Sequence, residues 1–209
     1  MQGMSRKWWK EALKQSLPGE EAQLQMAPAF RGSFPDQGEP FRAAVLILLY
    51  PVEREPHLVF IKRNEYDGPH SGQVSFPGGA WEVDDLSLEN TAIRETREEI
   101  GIQLDMEILG ALTPLHIPVS NFLVSPFVAW IDQHPAFFPD PSEVQYVIEV
   151  SLRQLMDPGI LDSEILHHRG RPVETPFYRV GQEKVWGATA MILSEFLQLV
   201  SRWQKHRCS

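Results

Sequence analysis

The residues with the clearest chemical potential are Arg94-Glu95-Thr96-Arg97-Glu98-Glu99. On a helix advancing about 100° per residue, Glu95, Glu98 and Glu99 fall within one arc of about 100°. Carboxylates at that spacing repel one another unless something neutralises them, and their hard oxygens are the ligands that Mg²⁺ or Mn²⁺ prefers. A charge-rich helix can equally be a solvated face. Against that reading, Glu99 projects between Leu88 and Ala92, at the edge of an apolar stripe with Ile93, Thr96 and Ile100, while Asn90, Arg94 and Arg97 take the opposite side. A carboxylate bordering a buried face is partly desolvated, which is costly unless it is paired or metal-bound. Pro77-Gly78-Gly79 supplies a turn whose glycines let backbone approach a ligand closely, and it can set a loop against the acidic helix.

These groups need elements to position them. Leu86 to Ile100 reads as one helix, with Asp85 as its N-cap and Gly101 just past its end. Ala43 to Tyr50 and Leu58 to Lys62 are strand-like, bounded by Pro51 and Pro56, and Gln73 to Phe76 is a third short strand. Met106 to Leu112 and Phe122 to Ile131 are further strands, and a Pro-rich loop follows through Pro141. From Ser142 to Met156 a helix fits, and Val144, Val147, Ile148 and Val150 fit a strand equally well. Thr189 to Trp203 is a helix with a broad apolar face, Ala190, Leu193, Leu197 and Val200 widened by Ile192, Phe196 and Trp203, as expected of a helix packed on a sheet. Ser5 to Ser16 forms a short helix ended by Pro18, and Pro18 to Arg42 reads as an extended arm rather than an element. Strands and helices alternate without regular βαβ units, so an α/β fold with a mixed sheet is expected. One domain should span residues 42–203, preceded by the helix and arm of 1–41 and followed by a tail, 204–209.

Charge narrows the partners. The chain has 19 basic and 28 acidic residues, a formal charge of -9, which argues against a nucleic-acid or anionic-membrane surface. A small anionic substrate remains compatible, because carboxylates can recruit cations that bind it. Cys208 is the single cysteine, which leaves no partner for an internal disulfide or a thiolate zinc site. Ala43 to Tyr50 is the longest apolar run and is too short to span a bilayer. Arg6, Lys7 and Lys10 are not followed by an apolar segment, so no signal peptide is read and a cytoplasmic location is expected.

The stretch from Gly79 to Ile102 resembles the Nudix box: Gly, five residues, Glu, seven residues, then Arg-Glu-U-x-Glu-Glu-x-Gly-U with U aliphatic. The second part is matched by Arg94 to Ile102, with Thr96 at an aliphatic position. The first part departs: six positions past Gly79 stands Asp85 rather than Glu, and eight residues rather than seven separate it from Arg94, with Glu82 and Asp84 also nearby. The resemblance implies an α/β/α sandwich with the box as loop-helix-loop, and Mg²⁺ or Mn²⁺ held by Glu95, Glu98, Glu99 and Gly79. Arg94 would orient the glutamates, and Glu95 or Glu143 would act as base. Upstream, Arg63 and His70-Ser71-Gly72-Gln73-Val74-Ser75-Phe76-Pro77-Gly78-Gly79 are similar to the motif preceding the box in coenzyme A pyrophosphatases, as are Glu143-Val144 and Val185 to Ala190. That subfamily often carries Leu-Arg shortly before the histidine, where this chain has Asp67-Gly68.

This second resemblance implies cleavage of the coenzyme A diphosphate to 4′-phosphopantetheine and adenosine 3′,5′-bisphosphate, with Arg63, His70, Gln73, Ser75 and Gly78 contacting substrate. Plainer readings stand beside it: His70 bonding a loop carbonyl, Gln73 and Ser75 as ordinary strand residues, Phe177 and Trp186 as core, Glu143 as the first acid of the next element. ADP-ribose, dinucleotides or other nucleoside diphosphate derivatives are the alternative substrates. A catalytically silent ligand sensor is the alternative of another class, which the intact acids of the helix speak against. A homodimer is compatible with the family.

Overall fold

The computed structural model describes residues 4–29, 38–65, 67, 70–168 and 171–207. Pro35 of the expected arm, Gly68 of the upstream motif and Cys208 of the tail lie outside the described residues.

In chain order the elements are α1 (Arg6–Leu13), α2 (Gly19–Leu24), β1 (Phe41–Val52), β2 (Glu55–Arg63), β3 (Val74–Ser75), β4 (Gly78–Ala80), α3 (Leu88–Ile100), β5 (Glu107–Ala111), β6 (Leu115–Ile117), β7 (Phe122–Trp130), β8 (Val144–Ser151), α4 (Leu152–Leu155), β9 (Leu161–His168), β10 (Arg171–Val180), β11 (Glu183–Trp186) and α5 (Gly187–Arg207), with a 3₁₀ turn at Pro158–Ile160. Strand β1 is the pivot. It runs parallel to β7 from Phe41 opposite Phe122 to Leu49 opposite Trp130. Its other edge is shared: β2 pairs with its far end, and β4 pairs with Ala43 to Val45. A strand bonded on both edges and covered on both faces reads as a continuous apolar run, which is why Ala43 to Tyr50 shows no alternation.

Alternate residues of β1 enter different cores. Ile47 and Leu49 pack with Trp9, Phe60, Leu193 and Phe196; Leu46, Leu48 and Tyr50 pack with Ala92, Ile100 and Phe127. The mixed sheet therefore lies between α3 on one face and α1, α2 and α5 on the other, the expected α/β/α sandwich. Trp9 stacks on Phe196 at 5.3 Å between ring centroids, tying α1 to α5.

Several local expectations need correction. The presumed arm contains α2, whose first turn carries Glu20 and Glu21 where the helix dipole favours acids. It is held from a distance: the buried Glu195 carboxylate of α5 accepts from the Gly19 N–H (3.1 Å), Gln23 Nε2 (2.8 Å) and Thr113 Oγ1 (2.7 Å). The N-cap of α3 is Ser87, whose side chain accepts from the Asn90 N–H, and not Asp85. Pro51 and Pro56 do not bound their strands; they lie opposite each other beside the turn at Glu53 and Arg54, both at positive φ. The segment open between helix and strand is strand β8, paired with β2, and only Leu152–Leu155 is helical. A second sheet, β11-β10-β9, occupies a region given no element from sequence. Helix α5 runs through most of the expected tail.

Candidate active site

Helix α3 is fixed at both ends before its acids matter. Ser87 caps its start, and Gly101, at φ 66°, ends it in the left-handed region that favours glycine. The loop after β7 then folds onto its last turn: the Phe138 N–H donates to the Ile100 carbonyl (2.9 Å) and the Asp140 N–H to the Glu99 carbonyl (3.0 Å). This is how the Pro-rich loop delivers Glu143, whose own carbonyl accepts from the Asn64 N–H at 3.0 Å.

Arg94 organises the solvent side of the helix. Its guanidinium meets Asp85 through Nε (3.0 Å) and Nη2 (2.9 Å), reaches Glu95 at 2.8 Å and Glu98 at 3.0 Å, and donates to the Ala80 carbonyl at 3.2 Å. Asp85 also accepts from Thr91 Oγ1 and the Glu82 N–H. Of the three acids left open in the first half of the box, Asp85 is thus the one that anchors Arg94; Glu82 approaches it only at 3.9 Å. The Arg94 bond holds Asp85 well below the ordinary carboxylate range, and Asp85 in turn raises Arg94.

The inner side is different. Glu99 is 1% exposed; its Oε2 accepts from the Gly78 N–H at 2.7 Å and its Oε1 from Arg63 Nη1 at 3.1 Å. Burial pushes its carboxyl up to about 7, the Gly78 and Arg63 donors opposing, with Glu95 and Glu143 adding like-charge repulsion. Glu95 is also raised, first by burial, with Arg94 opposing and with Glu98 and Glu143 adding to it. Gly79 faces Glu95 so closely that a Cβ there would lie 2.4 Å from the carboxylate. Glu143 therefore acts electrostatically on both inner acids although it lies outside the box.

Among the described residues no three carboxylate, imidazole or thiolate groups converge as a finished cation cage. The glutamates are instead engaged by donors of the protein, Glu95 and Glu98 by Arg94 and Glu99 by Arg63 and the Gly78 N–H. The donor set nevertheless fits Mg²⁺ or Mn²⁺. It consists of hard oxygens with surplus negative charge, set against a glycine cradle that a side chain would fill.

On the opposite side of the glycine strand β4 lies a cavity of about 340 Å³. Arg63, His70, Gln73, Ser75, Gly78 and Gly79 all line it, so every residue expected to contact substrate reaches one space. His70, at φ 65°, faces Gln73 Oε1 through Nδ1 (3.1 Å) and Ser120 Oγ through Nε2 (3.4 Å), its ring partners among the described residues. The Ser75 hydroxyl is buried and has no hydrogen-bond partner among the described residues. Sequence reasoning reached Ala188 and Thr189 through the stretch Val185 to Ala190 but missed the rest of the far wall, Ile117, Ser120, Phe122 and Ile192. Its only local signal is the turn Pro118 to Asn121, because those residues meet the motif through parallel pairing and helix packing rather than proximity in sequence. Phe177 is core, as the plainer reading held, and Trp186 does not line the cavity.

A mixed sheet between helices, with a glycine strand laid against a carboxylate-bearing loop-helix-loop, defines the class of protein. The NUDIX domain family model matches residues 40–174. A relative from Yersinia pestis (strain Pestoides F), named "Uncharacterized Nudix hydrolase NudL", is 34% identical over 161 residues, 77% of this chain and 80% of its own. The crystal structure of a MutT/nudix family protein from Enterococcus faecalis matches at TM-score 0.55 and 17% identity, over 93% of this chain and 74% of that one. That of the M. smegmatis Nudix hydrolase RenU matches at TM-score 0.53 and 13% identity, over 79% and 88%. At those identities the two structures speak for the fold alone. The chain belongs to the Nudix hydrolase family.

Proposed function

We propose that this hydrolase cleaves the diphosphate bond of coenzyme A, and of its acyl derivatives, to 4′-phosphopantetheine and adenosine 3′,5′-bisphosphate. The observation that carries the proposal is the convergence of Arg63, His70, Gln73, Ser75, Gly78 and Gly79 on one cavity behind the acidic helix. Gly78, Gly79 and Arg63 join that cavity to the acidic helix: Gly79 faces Glu95, and Gly78 and Arg63 donate to Glu99. A cavity that sets Val45, Ile117, Phe122 and Ile192 alongside Arg63, His70 and Gln73 suits a substrate that joins an aliphatic amide arm to a diphosphate.

Glu95, Glu98 and Glu99 would hold Mg²⁺ or Mn²⁺, with the Gly79 backbone beside them. Once bound, the cation supplies charge neutralisation at the diphosphate and acidifies water. The protein does the positioning. Arg94, itself anchored by Asp85, fixes Glu95 and Glu98. Glu143 accepts the proton of the attacking water from outside the box, and the Phe138 and Asp140 amides hold its loop on α3. Water adds to one phosphorus, the bridging P–O bond breaks, and 4′-phosphopantetheine and adenosine 3′,5′-bisphosphate leave, each keeping one phosphoryl group of the former diphosphate.

The test is hydrolysis of coenzyme A with product identification, with and without chelator. Phosphopantetheine and adenosine bisphosphate should form with Mg²⁺ or Mn²⁺ and not in chelator. Glu98→Gln and Glu99→Gln should lower kcat by at least about 10²-fold while the fold persists. Full activity in chelator, or in both variants, overturns the assignment.

A further inference from the structure

Arg63 stands between the two halves of the site. It lines the cavity, and it also donates to Glu99 on the other side of the glycine strand. The two donors to Glu99 differ in kind. The Gly78 N–H belongs to backbone locked into the sheet, whereas the Arg63 guanidinium sits on a flexible stem and is 27% exposed. Neighbouring residues explain why Glu99 needs a cation at all. Glu95 and Glu143 both repel its charge, and the Arg94 guanidinium of the same helix is engaged by Asp85, Glu95 and Glu98.

We propose that Arg63 is an exchangeable counter-cation: it neutralises Glu99 in the metal-free enzyme and turns into the cavity to bind an anionic phosphate once a divalent cation takes its place. This rests on reading Glu95, Glu98 and Glu99 as the cation carboxylates. Three consequences follow from charge and geometry. Arg63 and the divalent ion compete for one carboxylate oxygen, so the enzyme need not bury an uncompensated Glu99 while empty. Glu99 keeps its orientation during the exchange, because the Gly78 N–H still holds Oε2. A guanidinium released beside His70, Gln73 and Ser75 meets phosphate with several N–H donors instead of one. Loading the cation thus prepares the anion site, and substrate binds in that order.

The test uses binding, not turnover. Mn²⁺ affinity is measured by calorimetry on the full chain, and adenosine 3′,5′-bisphosphate affinity is measured in chelator and in saturating Mn²⁺. Arg63→Met should bind Mn²⁺ about tenfold more tightly, since a nearby positive charge is gone. Its affinity for the bisphosphate should equal that of the natural chain in chelator and fall about tenfold below it in Mn²⁺. Arg63→Lys, which keeps the charge, should restore ordinary Mn²⁺ affinity, and Arg63→Gln replaces the Met variant if that one does not fold. Unchanged or weaker Mn²⁺ binding in the neutral variants overturns the exchange. Equal loss of bisphosphate affinity with and without Mn²⁺ also overturns it, marking Arg63 as a fixed phosphate ligand. If the natural chain binds no Mn²⁺, the carboxylate reading itself has failed.

Discussion

At Gly79 the absence of a single methyl decides where a carboxylate sits. A Cβ there would overlap the Glu95 carboxylate, whereas one at Gly78 would lie 2.3 Å from the Ala44 carbonyl, at φ 145°. The adjacent glycines therefore serve different purposes, and alanine separates them. Gly79→Ala should lower kcat about tenfold or more by displacing Glu95, with a melting temperature close to the original. Gly78→Ala should destabilise by about 3 kcal/mol or more, since backbone cannot yield as a side chain can. Kinetics and thermal melts on the two variants check this; a collapse of both melts would mean that Gly79 is structural too. The spacing of the α3 acids fits a solvated face as well as a cation site, and what marks Glu99 in the sequence is its place beside the apolar stripe; it is buried, whereas Glu98 is exposed. The anchoring of Arg94 was not legible, since Glu82, Asp84 and Asp85 are equivalent in sequence and only the turn at Glu82 to Asp85 selects among them.

Among the elements, those with a strong period or a long apolar run were readable: β1, β7, α3 and α5 fall where their patterns predict. Elements whose stability comes from elsewhere were not. Helix α2 is six residues long, too short to persist alone, and depends on Glu195, which is 176 positions from Gly19. Glu195→Ala should leave the Thr113, Gln23 and Gly19 donors unsatisfied and cost about 3 kcal/mol, lowering the melting temperature by about 10 °C. Activity per folded molecule should hold; a large fall in kcat at low temperature would instead link α2 to the site. Strand β8 was ambiguous because Val and Ile suit either state until β2 supplies its partner. The loop before it carries the other element-scale prediction. Glu143→Gln keeps shape and removes charge, so a base predicts a kcat loss of about 10²-fold with little change in melting. A variant with normal kcat that melts lower would make Glu143 structural. The sheet β9 to β11 has one local signal, the Gly181 turn between β10 and β11, and no run of apolar residues flanks that turn to mark its strands.

For the whole molecule, the sandwich separates two tasks. Helix α3 brings the carboxylates to one side of the glycine strand, while β6, β7 and α5 wall a cavity on the other. No helix among the described residues is long and apolar enough to cross a membrane. The proposal assigns the bond cleaved to the acidic helix and the substrate to the cavity, so selectivity among diphosphates is its central test. The direct measurement is kcat/KM across coenzyme A, ADP-ribose, NADH, diadenosine polyphosphates and nucleoside triphosphates in Mg²⁺ or Mn²⁺. Coenzyme A should lead by about tenfold or more, a difference of about 1.4 kcal/mol in transition-state binding. ADP-ribose or a dinucleotide ahead by the same factor would contradict it.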